Sequence, residues 1–239
     1  MNYLAVLIII GLLILIHELG HFIAARAVGV AVDVFSVGFG PALWKKRIRG
    51  TEYRVSLVPL GGYVLPAVKD EHEYFLIPIN KRIIFSLGGP AANLAVILLL
   101  FAILNAVQSG LSAAGIIIQP LIQTADLTQR ILTAFMNLFT KPGSISGIVG
   151  ILHDGGRFIG GDGTNAVKLA IIISANLAIF NLLPLPVLDG GKILFCILEK
   201  ISIRLRTLFV PIMVVGWLLI IGLMIYATVM DVGRLVSHS

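Results

Sequence analysis

The 239 residues are 58% hydrophobic and 13% charged with a mean hydropathy of +1.01, which excludes an ordinary soluble domain and a disordered chain. The net charge of +6 comes from basic residues flanking apolar runs rather than from a compact basic domain, so nucleic-acid binding is not expected. The only cysteine is Cys196, which excludes an intrachain disulfide.

The first apolar run, Tyr3 to Val28, is long enough to span a bilayer. No Lys or Arg precedes Arg26, so it lacks the basic start of a cleavable signal and is expected to be a retained helix. It contains His17-Glu18-Leu-Gly-His21. Residues four apart lie on one helix face, so His17 and His21 can grip one zinc ion, with Glu18 beside them to act on a water. The pentapeptide supplies two ligands, and satisfied polar residues on a helix are the plainer alternative. An ionisable cluster inside a bilayer costs at least ~2.5 kcal/mol per charge unless paired, metal-bound or wet, which favours function. With ~1.5 Å of rise per residue, His17 falls ~21 Å from Tyr3 in a layer ~30 Å thick, below the surface, where water must reach it.

Residues 29–81 are not a plain linker. Val32 to Phe39 and Tyr53 to Val64 are rich in Val, Phe and Tyr, and Gly38, Gly40, Pro41 and the Lys45-to-Gly50 run separate them, which predicts hairpin-like strand pairs. Gly61 and Gly62 mark either a backbone lying close to another element, where a substrate could touch it, or a simple turn. The second span is predicted over 83–107, with Gly88-Gly89-Pro90-Ala-Ala-Asn93 suited to close helix packing and Asn93 expected to hydrogen-bond across the bundle. Residues 109–165 hold an amphipathic helix capped by Thr124, with Leu127, Ile131, Phe135, Leu138 and Phe139 on one side and an end at Pro142-Gly143, expected at the membrane interface.

The third span, 166–188, must break at Pro184 and Pro186, because two prolines so spaced cannot continue a helix. Asp189 follows directly. Alone it would read as a helix cap at the membrane border; with His17, Glu18 and His21 at matching depth it reads as the third zinc ligand. The fourth span is 208–230. Thirteen of the eighteen Lys and Arg lie in the first and third connections with their helix ends, so the positive-inside rule places those connections in the cytoplasm and both termini outside.

Taken together, His17-Glu18-Leu-Gly-His21, Val37-Gly-Phe-Gly-Pro41, Gly50-Thr-Glu-Tyr53, Pro59-Leu-Gly-Gly-Tyr63, Gly89-Pro-Ala-Ala-Asn93 and Asn181 through Gly191 resemble the site-2 protease family, intramembrane zinc metalloproteases, in its bacterial envelope-stress branch. The resemblance implies an α-helical polytopic membrane protein with four transmembrane helices and a membrane-re-entrant β-hairpin element, residues 33–64, between helices 1 and 2. It implies one Zn2+ per chain on His17, His21 and Asp189, Glu18 as general base toward a water at the zinc, and Asn181 and Asn176 on the substrate backbone. The expected setting is the bacterial inner membrane, with the active site toward the cytoplasm. The expected substrates are single-pass transmembrane proteins, such as anti-sigma factors or signal-peptide remnants, with the lipid bilayer as the other partner. That branch carries PDZ domains between the second and third spans, and residues 109–165 are too short for them. A membrane metal transporter and a catalytically silent scaffold are the alternatives. A transporter would show polar residues at several depths and related halves, and neither is visible.

Overall fold

The structure is a computed structural model that describes residues 3–138 and 148–237. Four helices are long and apolar enough to cross a membrane: Tyr3–Ala27, Ile79–Gln108, Gly163–Asn181 and Ile203–Met230. They are built on α1 (Tyr3–Ala27), α3 (Ile79–Ser109), α6 (Gly163–Asn181) and α8 (Phe209–Ser237). Shorter helices α2 (Glu71–Leu76), α4 (Gln119–Leu138), α5 (Ile148–Ile159) and α7 (Asp189–Ile201) fill the connections.

The packing centre is the pair α1 and α3. At Gly20 and Gly88 the two backbones come so close that a Cβ on either would collide with the other's carbonyl, so only glycine lets these helices meet there. α3 continues helical through Pro90. On its other side α3 meets α6 in an apolar cluster of Ile97, Ile171, Ala175 and Ala178. Outward-facing Leu, Ile and Val dominate α8, as expected of a helix surrounded by lipid.

The connection after α1 forms two long strands, β1 (Val32–Ile48) and β2 (Thr51–Pro66), joined by a turn with Arg49 at φ 49 and Gly50 at φ 86. Each strand bends and is used twice. Trp44 to Ile48 pair with Val55 to Thr51 as the outer hairpin, while Val34 to Val37 have partners on both sides, Leu65 to Gly62 in antiparallel register and Glu52 to Val55 in rising register. The start of β1 is buried against the end of α1, with Val30 and Val32 packed on Ala25. The outer hairpin is exposed, with Leu43, Trp44, Ile48 and Val55 facing outward among Lys45, Lys46 and Arg47.

α4 begins at Gln119, five residues before the expected cap, because the Thr124 hydroxyl donates back to Pro120 O (2.7 Å) inside the helix instead of capping it. α4 lies along α3 and α6, with Leu127 and Ile131 on their shared cluster and the Phe135 ring 5.5 Å from Phe180. Phe139, Pro142 and Gly143 lie outside the described residues. α5 returns between α1 and α6, where Leu152 and Ile159 join Val6 and Leu169. α6 ends at Asn181, three residues before Pro184, so the break comes earlier than 188, and the chain turns through Leu188 N to Leu185 O (3.0 Å) before α7 starts at Asp189.

A buried ion cluster ties the short helices together. Arg82, at the start of α3, donates to Glu199 of α7 (2.6 Å), and Arg206 holds the other oxygen of the same carboxylate (2.8 Å). Tyr74 and Phe75 of α2 present ring faces to Arg82 at 5.2 Å, and burial pushes the Tyr74 phenol up to about 12, so it stays neutral beside that cation. Glu199→Gln leaves two guanidinium groups sharing no anion. It is expected to destabilise the fold by about 3–5 kcal/mol, read as a lowered denaturation midpoint in detergent; an unchanged midpoint would remove the cluster from any account of stability.

Candidate metal centre

His17 and His21 are both buried on the face of α1 turned toward α3 and α7. Asp189 opens α7, where a carboxylate also suits the helix N-terminus. The fold brings these groups from opposite ends of the chain to one point. His17 Nε2 lies 3.2 Å and His21 Nε2 3.1 Å from Asp189 Oδ2, and the two Nε2 atoms are 3.2 Å apart. Among the described residues these three side chains form the one cluster of metal-donor type.

The triangle is the test of fit for zinc. Ligands ~2.0 Å from a tetrahedral zinc stand ~3.3 Å from one another, and the three edges match that spacing. Electron-pair donors aimed at one another repel unless a cation lies between them. Gly89 of α3 faces the pair, and a Cβ there would overlap both Nε2 atoms, so the cradle is kept open by the missing side chain.

The outer ring atoms are held as well. His21 Nδ1 lies 2.7 Å from Phe85 O and 3.3 Å from Gly89 N. One ring nitrogen cannot donate and accept at once, and the shorter contact is to a pure acceptor. Nδ1 therefore carries the proton, and Nε2 offers its lone pair to the centre. Asn93 of α3 lies 3.1 Å from His17 Nδ1. Asp189 divides its oxygens: Oδ2 faces the imidazoles and Oδ1 accepts from Lys192 Nζ (3.1 Å), one turn along α7. Phe85, Gly89 and Asn93 follow one another at four-residue intervals, so one stripe of α3 supports the whole imidazole pair.

Glu18 is half-buried and points toward β2, where its side chain packs on Gly62, and it shares the electrostatic surroundings of His17, His21, Asp189 and Lys192. A side chain at position 62 would overlap Glu18 and Ser36 O. Gly61, at φ 150, lies under the ring of Phe39 rather than against the metal cluster.

Asn176 and Asn181 are not in the cluster. They line a groove of about 600 Å3 with Leu7, Ile10 and Ile14 of α1 and Leu188. Both amides donate to the carbonyl four residues back, Ile172 O (2.8 Å) and Leu177 O (2.9 Å). Of the residues lining the groove, Ile14 is three residues before His17 and Leu188 is adjacent to Asp189 in the chain.

Lys192, Gly89, Phe85 and Asn93 touch or face the cluster in ways that sequence reasoning missed or left general. Lys192 counted only as cytoplasmic charge, although its spacing of three from Asp189 on a helix was a usable signal. No local pattern marks a backbone carbonyl such as that of Phe85.

The sequence model of peptidase family M50 matches residues 5–224. A Campylobacter jejuni protein provisionally named a zinc metalloprotease is 27% identical, across 99% of this chain and 95% of that protein. That alignment of 349 positions exceeds the 239 residues present, so the relative holds segments this chain lacks. The regulator of sigma-E protease RseP of Salmonella typhimurium is 42% identical over 103 residues, 38% of this chain and 23% of that protein. A Chlamydia pneumoniae protein, also provisionally named a zinc metalloprotease, is 45% identical over 112 residues, 40% of this chain. The chain thus spans less than a quarter of the Chlamydia and Salmonella relatives, at 18% and 23% of their lengths.

Proposed function

The chain belongs to peptidase family M50, and from that premise we propose that it is a zinc-dependent endopeptidase cutting transmembrane segments of single-pass proteins within the bilayer. The observation that carries this reading is the His17, His21 and Asp189 triangle, two of whose members lie on a membrane-type helix that also lines an apolar groove with Leu7, Ile10 and Ile14.

His17 Nε2, His21 Nε2 and Asp189 Oδ2 would hold one zinc per chain. When bound, zinc supplies a Lewis acid that polarises a peptide carbonyl and makes a water acidic enough to react near neutral pH. Glu18 takes the proton from the attacking water and returns it to the leaving nitrogen. Lys192 keeps Asp189 oriented by occupying its second oxygen. The groove excludes bulk water with Leu7, Ile10 and Ile14, and the oxygens of Asn176 and Asn181 accept hydrogen bonds from the substrate backbone.

A transmembrane substrate hides its amides in helical hydrogen bonds, so it must unwind to be cut. The strand around Gly62, next to Glu18, offers an extended template to replace those bonds, and Gly62 keeps the approach open. The outer hairpin, with Leu43, Trp44, Ile48 and Val55 exposed among basic residues, dips into the cytoplasmic leaflet as a re-entrant element. Both termini are extracytoplasmic and the active site faces the cytoplasm of a bacterial inner membrane. The resemblance of its motifs to the envelope-stress branch of site-2 proteases points to anti-sigma-factor-like proteins and signal-peptide remnants as substrates.

The test is a single-pass peptide reconstituted with the protein in liposomes, with products mapped by mass spectrometry. Cuts are expected inside the apolar stretch, and a helix-breaking Pro or Gly near the bond is expected to raise the rate roughly tenfold, as about 1.4 kcal/mol of unwinding cost is removed. Zinc flux across the liposome without cleavage, or cuts confined to soluble flanks, would overturn the reading.

A further inference from the structure

We propose that Asn93 holds His17 in the tautomer that binds metal, by accepting a hydrogen bond from His17 Nδ1 through its side-chain oxygen. The inference rests on the zinc reading above and concerns a positioning residue on α3, outside the three ligands themselves.

Asn93 has no exposed surface, and its backbone carbonyl is pinned by Ser174 Oγ of α6 (3.0 Å). Its side chain has one partner, His17 Nδ1, which faces the amide nitrogen at 3.1 Å. The amide oxygen is buried with no partner. That orphan is the informative atom, because with no second partner to fix it the amide can present either its nitrogen or its oxygen to His17.

The two ring nitrogens of a neutral imidazole share one proton. If Nδ1 accepts from the Asn93 nitrogen, Nε2 carries the proton and aims it at Asp189 Oδ2 and His21 Nε2, where no metal can then be bound. A half-turn of the amide exchanges nitrogen and oxygen with almost no change in shape. The oxygen then accepts from Nδ1, and Nε2 presents its lone pair to the centre beside that of His21. His21 needs no such adjustable partner, since Phe85 O can only accept. An asparagine serves His17 in both the metal-free and the metal-loaded state, which a carbonyl or a carboxylate cannot. The position suits the role: Asn93 stands one turn beyond Gly89 on the stripe of α3 that faces both imidazoles.

The experiment uses the full chain in detergent and zinc itself as the probe. In zinc-loaded wild type carrying 15N-labelled histidine, His17 is expected to show a protonated Nδ1 and a metal-bound Nε2. Competition against a chelator of known affinity is expected to show zinc held roughly 10–100-fold more weakly by Asn93→Leu, and within about threefold of wild type by Asn93→Asp, whose oxygen also accepts. Wild-type affinity in Asn93→Leu, equal losses in Leu and Asp variants, or an unprotonated Nδ1 in the loaded wild type would each overturn the proposal. If Asn93→Leu fails to fold, the wild-type spectrum and the Asn93→Asp affinity decide. A wild type that binds no zinc at all would instead overturn the underlying zinc reading.

Discussion

Asp189→Ala is expected to lose zinc while the helical content of the protein stays unchanged. In the proposed site the carboxylate would supply one of the three protein bonds to zinc and the only negative charge among the three ligands, offsetting the charge of the ion beside two neutral imidazoles. Zinc affinity in a full ligand set amounts to roughly 10–16 kcal/mol, so removal of one ligand costs about 3 kcal/mol or more, at least a hundredfold in affinity. Lys192 loses its anion at the same time and adds a cation near the vacated position. Metal analysis after passage over a weak chelator reads the effect directly. Zinc content equal to that of wild type would refute Asp189 as a ligand.

Glu18→Gln has the opposite signature: zinc remains and cleavage stops. Glutamine has the shape of glutamate, so its packing against Gly62 survives, and the metal-facing atoms of His17, His21 and Asp189 are untouched. What is lost is the ability to take and return a proton, a contribution of roughly 10^2–10^4 in rate. The fall is expected in kcat with KM little changed, because the groove that binds the substrate is the same. Normal turnover by this variant would assign the proton transfer to another group.

The cluster of His17, His21 and Asp189 was legible in the sequence because covalent spacing already constrains it. Two histidines four residues apart on a helix must share a face, and an acid just after Pro184 and Pro186 must sit at the end of a broken span. The groups that hold those ligands were less legible, since they depend on how α3 is rotated against α1. That rotation is set by the Gly20 and Gly88 contact, and only the folded structure turns Phe85, Gly89 and Asn93 toward the imidazoles. The hairpin region was readable as strands from its Val, Phe and Tyr content. The double use of Val34 to Val37 was not, because it depends on bends at irregular register. α4 shows the limit from the other side: its apolar stripe was visible, but burial against α3 and α6, with Phe135 on Phe180, is a tertiary choice. Arg82 and Arg206 counted only as topology charge in the sequence, and in the structure both pair with Glu199 in a joint between helices.

The most direct measurement is a single cycle on reconstituted protein with a helix-destabilised transmembrane peptide: cleavage before chelation, after chelation, and after stoichiometric zinc is returned. Cleavage inside the apolar segment is expected to disappear with the metal and to return with about one zinc per chain, while Glu18→Gln carried through the same cycle binds the zinc and stays silent. Cleavage that persists after complete zinc removal, or that Glu18→Gln performs as well as wild type, would contradict an intramembrane zinc protease built on His17, Glu18, His21 and Asp189.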